Sequence, residues 1–172
     1  MVMDTFAGLA FSYEPALEEY MEEPPKKRDE KIINKYMTNQ IIFNGIYSSL
    51  LCVWFLKSKF IHEVYRVDPT NKYLLTAFFG LFIFIAIFNA FNSRTYRLNI
   101  LSNILKNKIF IIIIAFIAIV QIILIYYGGE VFRTTGLTIY EFEVMILLAF
   151  SIIPFDIIRK IILKKNKIVR TI

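Results

Sequence analysis

The chain has 172 residues, of which 57% are hydrophobic and 20% charged, and its mean hydropathy is +0.56. Apolar runs of this length exceed a soluble core helix, so the bilayer is the solvent for most of the chain and the composition predicts an all-α, polytopic membrane helix bundle. The formal charge of +6 would suggest nucleic acid in a soluble protein. Here the basic residues flank apolar runs, where they orient helices, and no basic groove with interleaved aromatics occurs elsewhere, so no nucleic-acid partner is expected.

The first apolar piece, residues 1–12, carries Asp4. Twelve helical residues reach only ~18 Å against a hydrocarbon core of ~30 Å, so the expectation is half of one helix. A carboxylate at bilayer depth costs roughly 2.5 to 3.5 kcal/mol on insertion scales and usually faces a bundle interior, on an ion or proton path. Asp4 is therefore the first candidate for chemistry.

Residues 13–38 form the one extended polar segment. Pro15, Pro24 and Pro25 prevent a single continuous helix there. Glu18, Glu19, Glu22 and Glu23 would share one helical face. That face reads as solvated, with a docking surface for a cytoplasmic domain as the functional alternative.

Four runs long enough to span follow at 39–56, 73–92, 109–127 and 140–158, so the expected architecture is half of one helix plus four transmembrane helices. Lys and Arg number five in 12–38, four in 93–108 and six in 158–172, against four in 57–72 and one in 128–139. The first three segments are expected on the cytoplasmic side, with the C-terminus, by the positive-inside rule. Within the basic cytoplasmic tail at 159–172, Lys160 to Arg170 reads as a polybasic anchor against anionic lipid.

Other candidates are sparse. Asp156, with Arg159 and Lys160 three and four residues on, suggests an interfacial i,i+3/i,i+4 ion pair. Glu141 and Glu143 open the last span at its outer edge. Gln121, mid-span, is expected to hydrogen-bond a neighbouring helix, while Asn89 and Asn92 are suited to bonding loop backbone. His62 has no companion ligand and reads as solvated surface. Cys52 reads as a small buried hydrophobe. No phosphate loop, nucleophile elbow or zinc spacing occurs, so no catalytic or cofactor-binding residue is assigned.

Four motifs carry a resemblance. Met-Asp-Thr-Phe-Ala-Gly-Leu-Ala-Phe-Ser-Tyr-Glu-Pro at 3–15 resembles the sixth transmembrane helix of plasma-membrane-type calcium-transporting P-type ATPases and the loop after it. Met21, Pro24 and Pro25 continue that loop's Met-x-x-Pro-Pro pattern. Phe-Asn-Ala-Phe-Asn-Ser-Arg at 88–94 resembles the end of their eighth helix, and Val-Gln-Ile-Ile-Leu-Ile-Tyr-Tyr-Gly-Gly-Glu-Val-Phe at 120–132 is similar to the ninth helix and its outer turn. The likeness covers essentially the whole chain, with the motifs in order.

The resemblance implies a C-terminal cation-pump transmembrane domain containing the second half of helix six and helices seven to ten. It implies that Asp4 is the helix-six aspartate that binds the transported ion, Ca²⁺, a hard cation that takes six to eight oxygens. The family's companion Asn would fall one position before Met1. Met3 and Ala86 stand where sarcoplasmic-reticulum-type pumps place a Thr and a Glu, which implies one Ca²⁺ per cycle; manganese suits the same oxygen donors. ATP and Mg²⁺ belong to the complete pump, whose phosphorylation, nucleotide-binding and actuator domains are not in this chain. The expected partners are those N-terminal pump domains and the lipid bilayer, the expected location is the cell membrane, and no ATPase activity is expected from the chain alone. The alternative is a stand-alone membrane scaffold or regulatory subunit derived from such a pump.

Overall fold

A computed structural model describes residues 2–14, 33, 35–95, 98–101 and 104–165, with the backbone alone for 2–4. The described residues form eight α-helices and one 3-10 turn: α1 (Val2–Ser12), α2 (Lys35–Lys57), α3 (Lys59–Val64), α4 (Lys72–Arg94), the 3-10 turn Ile104–Lys106, α5 (Lys108–Tyr127), α6 (Gly129–Phe132), α7 (Ile139–Phe150) and α8 (Ile152–Lys165). Three of them, α2, α4 and α5, are long and apolar enough to cross a membrane. At 1.5 Å per residue, 20 to 23 residues span ~30 to ~35 Å.

The expected single span at 140–158 is two helices. Pro154 has no N–H, so the carbonyl of Phe150 loses its helical partner. Immediately before it, both the backbone N–H and the hydroxyl of Ser151 bond the carbonyl of Leu148. Tyr47 on α2 donates its hydroxyl to Ser151 Oγ at 2.7 Å and stacks on Phe155 with ring centroids 4.1 Å apart. The break is thus held from outside the broken helix.

Helix starts follow local chemistry. Asn107 caps α5 by accepting from the backbone N–H of Phe110 at 2.8 Å, and Thr138 and Glu141 form a capping box on α7. At the exit of α5, Gly129 has φ +53°, a backbone region that glycine enters without Cβ strain. A Cβ on the adjoining Gly128 would lie 2.4 Å from the carbonyl oxygen of Leu124.

α4 is the centre of the bundle and packs on α7, α5, α2 and α8. Ala77, Leu81, Phe84 and Ile85 of α4 meet Ile125, Met145 and Ala149 in one buried cluster. Gly80 lets these helices approach, since a Cβ there would stand 2.3 Å from Met145 Sδ. Small residues at such contacts are how helices pack where lipid removes the hydrophobic drive for association. α2 turns Ile42, Ile46, Leu50 and Val53 outward, as suits a helix facing lipid.

Candidate cation-binding region

Asp4 falls in the first turn of α1; its side chain lies outside the described residues. Position 8 follows it by one helical turn, and Gly8 is exposed, with nothing within 4 Å of an added Cβ. Another face of α1 rests on α5. Ala10 is fully buried there, Phe6 meets Phe116 edge-on at 5.9 Å, and Phe11 meets Phe110 at the same distance.

Beyond the last turn of α1, Glu14 makes the polar half of this joint. Its Oε1 accepts from Arg94 at 2.7 Å and its Oε2 from Asn107 Nδ2 at 2.7 Å. The same Asn107 amide donates to the carbonyl of Ala10 at 3.2 Å, and Arg94 also donates to the carbonyl of Ile100 at 2.9 Å. The Arg94 side chain is 1% exposed and that of Glu14 25%, so the pair is shielded on the arginine side and the bond is charge-assisted. Glu14 and Arg94 stand within the motifs at 3–15 and 88–94 and Asn107 directly before an apolar run, but nothing local in the sequence pairs them.

A second polar cluster ties the same end of the bundle together. Asp156, fully buried, accepts from Arg159 Nε at 2.7 Å and from Asn44 Nδ2 at 3.1 Å. Lys160 Nζ lies 3.0 Å from Asp156 Oδ2 and directs its hydrogen bonds to the carbonyls of Asn92 (3.0 Å) and Thr95 (2.9 Å). Those carbonyls stand at the C-terminal end of α4, where orphan acceptors need partners. Arg159 reaches on to Asn39 Oδ1 and the Tyr36 hydroxyl on α2. The expected i,i+3 and i,i+4 pairs are present. The group is a buried knot joining α2, α4 and α8 and reaches well beyond a single ion pair.

Other sequence candidates take structural roles. Glu141 binds Arg66 through two oxygens, 3.1 and 3.0 Å away, and accepts from the backbone N–H groups of Arg66 and Thr138. Asn92 donates to the carbonyl of Ile152 on α8, and Asn89 accepts from Asn44, so both bond helices rather than loops. Gln121 is buried, and its Nε2 has no hydrogen-bond partner among the described residues. His62 is exposed and contacts the carbonyl of Leu56 at 3.0 Å. Cys52 is only partly buried.

Ala86 is partly buried on α4. A cavity of about 370 Å³ between α2 and α4 is lined by Gln40, Asn44, Ser48, Asn89 and Ser93 among others. Among the described residues, no group of three or more His, Cys, Asp or Glu could hold a metal ion. The acidic face at Glu18, Glu19, Glu22 and Glu23, the three prolines of that segment and the tail from 166 onward lie outside the described residues.

A family model described as "Cation transporting ATPase, C-terminus" matches residues 1–162. The chain belongs to that family. It is 29% identical over 165 residues to calcium-transporting ATPase 10, plasma membrane-type, of Oryza sativa subsp. japonica, which covers 94% of this chain and 16% of the rice protein. It is 32% identical over 140 residues to calcium-transporting ATPase 2 of Cryptococcus neoformans var. grubii, covering 80% of this chain and 10% of the relative. Plasma membrane calcium-transporting ATPase mca-1 of Caenorhabditis elegans is 26% identical over 162 residues, 88% of this chain and 13% of that protein. The chain thus spans about a sixth or less of the length of these relatives. As a cation-transporting ATPase C-terminal domain with three helices fit to cross a bilayer, it is a membrane protein homologous to the C-terminal regions of calcium pumps.

Proposed function

We propose that this domain serves an ATP-driven calcium pump, with Asp4 as an oxygen ligand of the transported Ca²⁺ and the later helices as the frame that braces α1. The observation that carries the reading is the match of nearly the whole chain to the C-terminal regions of proteins named as calcium-transporting ATPases, beginning on the motif that contains Asp4. A carboxylate in an apolar segment is costly unless it meets a charge, and one carboxylate supplies at most two of the six to eight oxygens Ca²⁺ takes. The remaining donors, ATP, Mg²⁺ and the phosphorylated residue come from pump domains outside this chain. Met3 and Ala86, both without side-chain oxygens, favour one Ca²⁺ per cycle. The excess of Lys and Arg in 12–38, 93–108 and 158–172 supports a cytoplasmic side for those segments and the C-terminus. The polar segment 13–38 is then on the side of the phosphorylation domain and able to touch it.

Co-expression tests the reading. The chain, produced with the N-terminal portion of a plasma-membrane-type calcium pump, is expected to restore ATP-dependent Ca²⁺ uptake in inside-out vesicles. Asp4→Asn is expected to lower that uptake by at least about 100-fold, the scale of losing a charged ligand. Restoration without any effect of Asp4→Asn overturns the ligand assignment. Stable association without uptake overturns the pump reading in favour of a scaffold.

A further inference from the structure

A ligand is useful only at the depth where the ion sits, since Ca²⁺–oxygen distances lie within ~2.3 to 2.6 Å. What fixes α1 therefore bears on Asp4. The packing of Phe6, Ala10 and Phe11 on α5 is apolar, and apolar burial is non-directional. It resists separation of the two helices more than sliding or turning of α1 along α5.

Directional contacts hold the C-terminal end of α1. Asn107 Nδ2 holds both the carbonyl of Ala10 and the carboxylate of Glu14, whose second oxygen is held by Arg94. Arg94 closes α4, and beside it Lys160 of α8 fastens the carbonyls of Asn92 and Thr95. The joint therefore connects α1 to the end of α4 that Lys160 of α8 also holds. Ala10 follows Asp4 by six residues, ~9 Å of continuous helix, short enough to transmit a fixed depth.

We infer that Asn107, Arg94 and Glu14 are positioning residues, a clamp that sets the depth and rotation of α1 and through it the place of Asp4. The inference rests on the reading of Asp4 as a cation ligand. Asn107 is the informative member because its two ends do different things: Oδ1 caps α5, while Nδ2 holds α1. Serine also caps helices well but is too short to reach Ala10 and Glu14. Asn107→Ser therefore removes the clamp and keeps the cap.

The test uses hydrogen exchange on the 172-residue chain in lipid nanodiscs. In Asn107→Ser, amides of Phe6–Ser12 are expected to exchange about tenfold faster, as for loss of a hydrogen bond to a charged group, while those of Phe110–Tyr127 stay within about twofold. Glu14→Gln keeps an oxygen for Asn107 and weakens only the Arg94 pair, so it should move the same amides less. Unchanged exchange in α1 overturns the clamp, as does an equal loss of protection in α5. In the co-expressed pump, Asn107→Ser is expected to raise the half-saturating Ca²⁺ concentration by about tenfold, with the maximal rate within about twofold. No shift there, while Asp4→Asn still abolishes uptake, overturns positioning and leaves the ligand reading intact. Normal uptake by Asp4→Asn overturns the ligand reading, and the exchange rates still decide the clamp.

Discussion

At the scale of single residues, the buried charges are the most exacting features. Asp156 balances Arg159 and Lys160, whose side chains are 4% and 2% exposed. Removing one partner of a buried ionic group leaves uncompensated charge, which costs about 3 to 5 kcal/mol. Asp156→Ala is expected to destabilise the chain on that scale in detergent, read as an earlier transition on SDS titration monitored by helical circular dichroism. An unshifted transition would show that water reaches Arg159 and Lys160. Asp68, in the loop before α4, has the opposite character. Hydrogen bonds from the hydroxyl and backbone N–H of Thr70 hold its carboxyl below the usual carboxylate range, with Lys72 3.6 Å away adding to the effect. A depressed carboxylate stabilises the fold above its unfolded value, and that support is lost as pH falls through the folded value. Thr70→Val should raise the Asp68 titration midpoint toward the ordinary range in a carboxyl NMR titration.

At the scale of elements, turns and breaks decide what the apolar runs become. The exit of α5 depends on two adjacent glycines doing different work. Gly129 supplies the positive φ, whereas Gly128 gives room, because its missing Cβ would meet the Leu124 carbonyl oxygen at 2.4 Å and Thr134 Oγ1 at 2.6 Å. Backbone cannot yield as a flexible side chain can, so Gly128→Ala is expected to cost about 1 to 3 kcal/mol. The same SDS titration measures it, and a neutral result would mean that the turn re-forms around the methyl group. Gly80 contrasts with it, since its close neighbour is the far end of the Met145 side chain rather than backbone. The α7–α8 break was foreshadowed by Pro154. Its place at Ser151 depends on partners far away in sequence, Tyr47 above all.

For the whole molecule, two polar joints secure one end of the bundle. The Asp156 knot joins α2, α4 and α8, and the Asn107 clamp joins α1 to the ends of α4 and α5. The Glu141–Arg66 contacts fasten α7 to the segment after α3. Lipid-facing helices gain little from burying apolar surface against each other, so directional contacts and close packing carry more of the specificity. The Asn107 clamp holds α1 at its C-terminal end, an arrangement suited to a helix whose depth must be set.

The amino-acid sequence by itself determined the class of molecule, three of the four long apolar helices expected and the family, because apolar runs of fixed length and ordered motifs are local properties of a chain. It also exposed the Asp156 pairing, since residues three and four apart on a helix are neighbours by geometry. It could not disclose that this pairing is buried, nor the 80-residue separation bridged by Glu14 and Arg94 or the 97-residue separation bridged by Ala10 and Asn107. Isolated Asn and Arg residues at helix ends look alike until packing selects their partners. Only the tertiary structure decided which of them hold the helix that carries Asp4, because hydrogen bonds across a bundle depend on the relative depth of its helices, a quantity that no local pattern encodes.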